Sequence, residues 1–472
     1  MSAHALAYSA LDKLDAVAKL VDKLTKDMGS LSMSPQERNT TLEELKVYGR
    51  DPRYADPIFT KEGISMLLTF AFHDKASSDT SRGALRVLAN SMVLKPETRR
   101  FFVDGGYATK ACKRLDTESW DDEFLLSRIL FLSTYSDQKI KLTPLIKEHG
   151  LASSINANLG RHAMSKSATS RPTAGSMEEM ALLETLKLLH NVTHFCPQEA
   201  SAFISSVPHI ISLLCSRSLP GTNVLDAPFG ALVNSLLNLD LANKTCKSAL
   251  FPSGEDDKLG SRLLEILDRA MREYSSSDLD ATVTPLVKFL LEVYGIGPES
   301  IQKKLRDGIL PNSEDRQSVL GKGSSLSARL LETSKDPMAP HLGPVISHLF
   351  FLMSESDASQ FVENVGYGYA SGYLFQNNVP LSAVAKATFD AADETGSPRP
   401  VNPITGQFID REKPDVLPPM TEEEKEREAE RLFVLFERLE KNGVLSVQNP
   451  VRQAIREGKL REITDDEVEE IE

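Results

Sequence analysis

Seven times along the chain a basic or polar residue is followed, four positions later, by a second residue that is usually polar and set among leucines. The pairs are Lys46 and Arg50, Arg86 and Asn90, Arg128 and Leu132, Lys187 and Asn191, Asn234 and Asn238, Lys288 and Glu292, and His348 and Leu352. Residues four apart share one face of a helix, so each pair is expected to project from a single helical surface. An asparagine amide both donates and accepts, which suits a peptide backbone. Lysine and arginine meet carboxylates or the exposed carbonyls at a helix C-terminus. The chemistry open to such a ladder is capture of a peptide segment, helical and carrying negative charge at or near its end. The competing reading is that Asn90, Asn191 and Asn238 only satisfy local backbone groups; recurrence in one frame favours a binding surface.

Other groupings fit catalysis or cofactor binding less well. His190 and His194 lie four apart with Cys196 nearby, but the helix lacks the glutamate of a His-Glu-x-x-His motif and offers no fourth ligand, so no metal is expected. Gly366, Gly368 and Gly372 resemble a phosphate loop only superficially. No strand pattern precedes them, no Lys-Ser/Thr follows, and the spacing is not that of a dinucleotide fingerprint. Serine, histidine and aspartate residues are scattered without a nucleophile-elbow context. The expectation is a protein that is not an enzyme and needs no cofactor.

The elements that must position the ladder are helices. From about residue 40 to 355, apolar residues recur at three- and four-residue spacing, broken by Gly, Pro, Ser and Asp clusters, without strand-type alternation. The last positions of successive pairs are 40, 42, 59, 47, 54 and 60 residues apart. The long third step is absorbed by a Ser/Thr/Gly/Pro loop from Met164 to Ser176. This is the period of armadillo or HEAT units, which cannot bury their apolar faces alone and must stack. The predicted fold is an all-α, armadillo/HEAT-like right-handed superhelical solenoid with a C-terminal helical arm. Its body spans residues 1–379.

Residues 380–420 form a Pro-rich linker with seven prolines, too long and polar for a routine turn, and read as a mobile linker or wrapping arm. Residues 421–472 then carry the best-marked helix of the chain. Thr421 and Glu424 have capping-box spacing, Gly443 stands at the expected stop, and Leu432, Phe433, Leu435, Phe436 and Leu439 form an apolar stripe. A short second helix and an acidic tail follow.

Charge and composition exclude several classes. The net charge is −13; residues 421–472 hold 9 Lys/Arg and 16 Asp/Glu, giving −7 and leaving −6 for the rest. Nucleic acid is therefore not an expected partner. The longest apolar run, Val345 to Met353, is interrupted by His348 and too short to span a bilayer. Charged residues among the first 24 make that stretch an amphipathic helix and not a signal peptide. Cys112, Cys196, Cys215 and Cys246 show no paired spacing, which suits reduced thiols and a cytoplasmic address.

Near the C-terminal end three motifs follow in order: Gly366-Tyr367-Gly368-Tyr369-Ala370-Ser371-Gly372, Asn402-Pro403-Ile404-Thr405-Gly406, and Pro419-Met420-Thr421-Glu422-Glu423-Glu424-Lys425. In this the chain resembles the synembryn family. The resemblance implies a chaperone and guanine-nucleotide exchange factor for heterotrimeric G-protein α subunits, met GDP-bound or nucleotide-free. It also implies that a concave armadillo-like groove receives the Gα C-terminal helix. Carried over, Lys46, Arg50, Asn90, Phe131, Asn191 and Asn238 line that groove, with Lys46 where animal members have arginine, and the ladder adds Arg86, Arg128, Lys187, Asn234 and Lys288. The stripe Leu432 to Leu439 would dock on the Gα nucleotide-binding domain or pack on its own body. A monomer is expected, reaching membranes only through Gα. The alternative is an armadillo peptide carrier of the importin or catenin kind. That predicts tryptophan-bearing pockets, whereas the sole tryptophan, Trp120, lies outside the ladder frame.

Overall fold

Serines start most of the ladder helices. In a computed structural model of the chain, Ser34, Ser78, Ser119 and Ser176 cap the helices Pro35–Tyr48, Asp79–Leu94, Trp120–Ser133 and Met177–Phe195, each accepting from a backbone N–H in the first turn. Ser34 and Glu37 complete a reciprocal capping box. Each such cap contributes about 1 kcal/mol. The structure describes residues 10–30, 32–73, 77–137, 140–165, 175–252, 258–380, 389–392, 397–412, 427 and 431. The loop expected between Met164 and Ser176 lies mostly outside them. So do Leu432, Phe433, Leu435, Phe436 and Leu439.

The chain divides into two compact units, residues 1–274 with 288–301, and residues 275–287 with 302–472. In the first unit, the four serine-capped helices and a fifth, Phe229–Leu236, pack one against the next in chain order. Leu42 and Leu45, Leu85 and Leu88, Leu126 and Ile129, Leu186 and Leu189, and Leu232 and Leu236 are wholly buried between successive layers. At about 2 kcal/mol for each large apolar side chain, this row holds itself together by stacking. The described residues are helical almost throughout, and the expectation of an all-α, repeat-stacked body holds.

Polar keys fix the stacking order. Glu123 is fully buried and accepts from Thr185 Oγ1 at 2.7 Å, from His162 Nε2 at 2.9 Å and from the Arg161 guanidinium. Thr185 also meets Ser127 at 3.0 Å. Three helices, Trp120–Ser133, Leu151–Met164 and Met177–Phe195, are thereby tied through one carboxylate. A buried charge with this many donors is costly to disturb. Trp120 stacks on His162 with ring centroids 4.5 Å apart.

Pro197–Ser216 is the one described stretch long and apolar enough to cross a membrane, although polar residues interrupt it. Phe203, Val207, Ile210, Leu213 and Leu214 in it are wholly buried in the first unit, where they serve as core.

The second unit differs from expectation after residue 380. Strands β1 (Phe389–Ala392) and β2 (Pro398–Val401) pair antiparallel, and Val401 and Phe408 are fully buried. Residues 397–412, expected to belong to a linker, are built into this unit. Pro398 and Pro400 pair with Ala392 and Asp390 in a two-stranded ribbon. A ribbon has free outer edges on which prolines, lacking an N–H, are tolerated.

The glycine motif explains that packing. Gly366 has φ +77°, and a Cβ there would stand 2.9 Å from the Ile404 carbonyl oxygen. The Tyr367 N–H donates to the Pro403 carbonyl at 2.7 Å and the Gly368 N–H to Ile404 at 3.1 Å. Asn402 shapes the docked turn by accepting from the Ile404 N–H at 2.8 Å. Arg316, 5% exposed, donates to the carbonyls of Gly406, Glu363 and Asn364 at 3.0, 3.0 and 3.1 Å. Burial holds its pKa down to about 10. Gly366 and Gly368 thus admit a backbone.

Candidate functional site

The ladder helices of the first unit leave two clefts. The first, about 500 Å³, is lined by Lys46, Arg50, Arg86, Asn90 and Arg128 together with Ala89, Val93, Leu94, Phe124 and Leu125. The second, about 440 Å³, is lined by Phe131, Lys187, Asn191 and Asn234 with Tyr135, Leu183, Leu186, His190, Leu225, Ala227, Gly230 and Ala231. The Trp120–Ser133 helix contributes to both.

Most of the cations in these clefts already have partners. Arg86 reaches Asp121 at 2.7 Å, Arg128 reaches Glu184 at 3.0 Å, and Lys187 reaches the same Glu184 oxygen at 3.1 Å. Lys46 pairs with Glu43. These contacts lace each ladder helix to the next or to its own preceding turn. As half-exposed pairs they contribute little to stability, yet they hold the side chains in place.

Arg50 stands apart. The expectation that it shares a helical face with Lys46 fails, because the helix ends at Tyr48, the Gly49 N–H closes on the Leu45 carbonyl at 2.9 Å, and Arg50 sits in the following turn. Its exposed guanidinium makes no hydrogen bond or ion pair among the described residues, and neither does the amide of Asn90. The first cleft therefore offers one uncommitted guanidinium and one uncommitted amide, with Val93 and Leu94 exposed beside them.

The asparagines divide into two kinds. Asn191, 4% exposed, donates to Thr134 Oγ1 at 2.8 Å and accepts from Tyr135 Oη at 3.3 Å. Asn238 donates to the His190 carbonyl at 3.2 Å. Both are struts within the fold; Asn238 sits in the turn after Leu236, so it leaves the helical face expected to be shared with Asn234, and it lines neither cleft. The Asn234 side chain is uncommitted among the described residues, although its backbone carbonyl accepts from His190 Nδ1 at 2.8 Å. Lys288 is exposed on the helix Ser276–Ile296 and also lines neither cleft.

His190 and Tyr135 line the second cleft without belonging to the ladder. His190 lies three residues after Lys187 on one helix, so the same-face rule that found the ladder extends to it, whereas Tyr135 sits in the turn after Ser133. The two histidines considered for metal are stacked, with ring centroids 6.1 Å apart, and among the described residues no group of three ligating side chains surrounds them. Phe131 meets Tyr135 edge to face at 5.4 Å, and Lys187 Nζ lies 5.9 Å from the Phe131 ring centre. Trp120, which lies outside the ladder frame, lines neither cleft.

The first unit is an all-α stack of helices whose two clefts carry partly uncommitted polar side chains. The chain belongs to the synembryn family: residues 41–459 match the family described as guanine nucleotide exchange factor synembryn. A synembryn-like chaperone of Schizosaccharomyces pombe is 27% identical over 311 residues, covering 61% of this chain and 57% of that protein. Chaperone Ric-8A of Xenopus tropicalis is 23% identical over 457 residues, covering 88% of this chain and 83% of the relative. Chaperone Ric-8A of Gallus gallus is 23% identical, covering 90% and 87%.

Proposed function

We propose that this protein is a chaperone and guanine-nucleotide exchange factor for heterotrimeric G-protein α subunits, and that the two clefts of the first unit receive the Gα C-terminal helix. The observation that carries the reading is the uncommitted pair Arg50 and Asn90 in a cleft where the other cations are already paired. A guanidinium and an amide side by side suit the carboxylate and carbonyls at the end of a helix. Family membership and the chaperone relatives support the choice of partner.

Exchange then follows from differential binding. A Gα subunit whose C-terminal helix is held in the groove has a weakened guanine pocket, so GDP leaves. GTP and magnesium favour the closed Gα and release it. No covalent step is needed. Holding the same open state during biogenesis is the chaperone activity. The stripe Leu432, Phe433, Leu435, Phe436 and Leu439 docks on the nucleotide-binding domain in this reading, and the protein works as a cytoplasmic monomer without enzymatic activity.

The test is co-purification with a GDP-loaded Gα subunit, with and without GTPγS, alongside the rate of GDP release. The reading expects a nucleotide-free complex that GTPγS dissociates. Absence of any complex with folded Gα subunits of every class would overturn it.

A further inference from the structure

The second cleft carries a hydrogen-bonding pattern that nothing above explains. His190 Nδ1 lies 2.8 Å from the Asn234 carbonyl. A carbonyl only accepts, so Nδ1 carries the proton and Nε2 is the ring nitrogen left open to the cleft. Asn238 Nδ2, 3.3 Å from the same Nδ1, faces a donor and instead bonds the His190 carbonyl. Nε2 has no partner among the described residues. The Asn234 amide, also on the cleft wall, has none for its side chain either. Around them stand Phe131, Tyr135, Leu183 and Leu186.

An apolar cleft with one free acceptor and one free amide suits a particular ligand group. A purely apolar side chain would leave both polar groups unsatisfied at a cost. A hydroxyl on an apolar body satisfies both, donating to Nε2 while accepting from the amide. We propose that the second cleft is a subsite for a tyrosine side chain of the bound helix, with His190 and Asn234 as its specificity-determining residues. About 440 Å³ leaves ample room for a phenol. This inference rests on the groove reading above and adds to it which residue type the groove selects.

Two variants separate the roles. His190→Asn places an amide N–H where Nδ1 stood, keeping the strut to the Asn234 carbonyl while removing the Nε2 acceptor. Asn234→Ala removes the amide and leaves the backbone carbonyl. The probe is a labelled peptide copying the Gα C-terminal segment, made as a series in which each apolar position is in turn tyrosine or phenylalanine. Binding to the full chain is read by fluorescence anisotropy. At one position tyrosine should bind roughly tenfold tighter than phenylalanine, the effect of one or two hydrogen bonds. Both variants should abolish that preference, weakening the tyrosine peptide to the affinity of the phenylalanine peptide. Binding throughout the series without a tyrosine preference, or a preference that survives both variants, overturns this inference alone. If no peptide of the series binds, the groove reading falls with it. Should His190→Asn fail to fold, Asn234→Ala decides the matter.

Discussion

The first cleft and the docked Asn402–Gly406 turn both centre on an arginine, and they treat it in opposite ways. Arg316 is 5% exposed and donates to three backbone carbonyls, so its charge is spent on the fold. Arg50 is exposed, sits in a turn, and makes no side-chain bond among the described residues. The contrast extends to the neighbours. Around Arg316 the Pro403, Ile404 and Thr405 carbonyls each accept from a named N–H; beside Arg50 the Asn90 amide stays uncommitted. Motif conservation of chemistry type alone would not separate these sites, since both combine arginine with asparagine. Satisfaction does. A polar group whose partners are all internal holds structure, and one whose partners are missing is open to a ligand.

Removing the docked turn should have the largest effect on stability. A chain ended at Val379 loses every partner that residues 402–408 supply to Arg316, Leu320 and Gly366–Gly368, while one ended at Glu412 keeps them. Denaturant unfolding should show the shorter chain less stable by at least about 4 kcal/mol, several lost hydrogen bonds at about 1 kcal/mol each. The chain ended at Glu412 should unfold like the full protein. It should also bind the Gα C-terminal peptide but fail to accelerate GDP release, because it lacks Leu432 to Leu439.

Arg316→Ala comes next. It strands the carbonyls of Gly406, Glu363 and Asn364, and the expected loss is about 3 kcal/mol in the same unfolding experiment. Gly366→Ala is smaller. At φ +77° and ψ 147° the site is nearly exclusive to glycine, and the new methyl would press on the Ile404 carbonyl. A loss of about 2 kcal/mol is expected, read as a lowered melting temperature. The smallest stability change belongs to Arg50→Ala with Asn90→Ala, within about 0.5 kcal/mol, as for surface positions without internal partners. A large loss there would erase the contrast between the two regions.

Much of the ladder was legible in the sequence because it depends on local rules. Serine caps, the spacing of Leu85 and Leu88, and the four-residue step from Arg86 to Asn90 all act within one helix. Partners drawn from other helices were not legible. Asp121 lies 35 residues from Arg86 and Glu184 lies 56 from Arg128, so nothing local marked those cations as already paired. Arg50 was misplaced because its helix ends at Tyr48, two residues earlier than the pattern suggests. The hairpin β1–β2 was hidden by its prolines, which read as linker until an outer edge is available to them. The glycines of Gly366–Gly372 read from the sequence only as a departure from a phosphate loop; that Gly366 and Gly368 admit the Pro403–Ile404 backbone depends on a segment distant in the chain.

The central claim is that uncommitted groups in the first cleft bind the Gα C-terminus. Isothermal titration of a Gα C-terminal peptide into the full chain and into the Arg50→Ala, Asn90→Ala variant tests it most directly. Loss of charge-assisted hydrogen bonds should weaken binding by at least about tenfold while the variant's circular dichroism and melting curve match the parent. Equal affinity in a folded double variant would contradict the account.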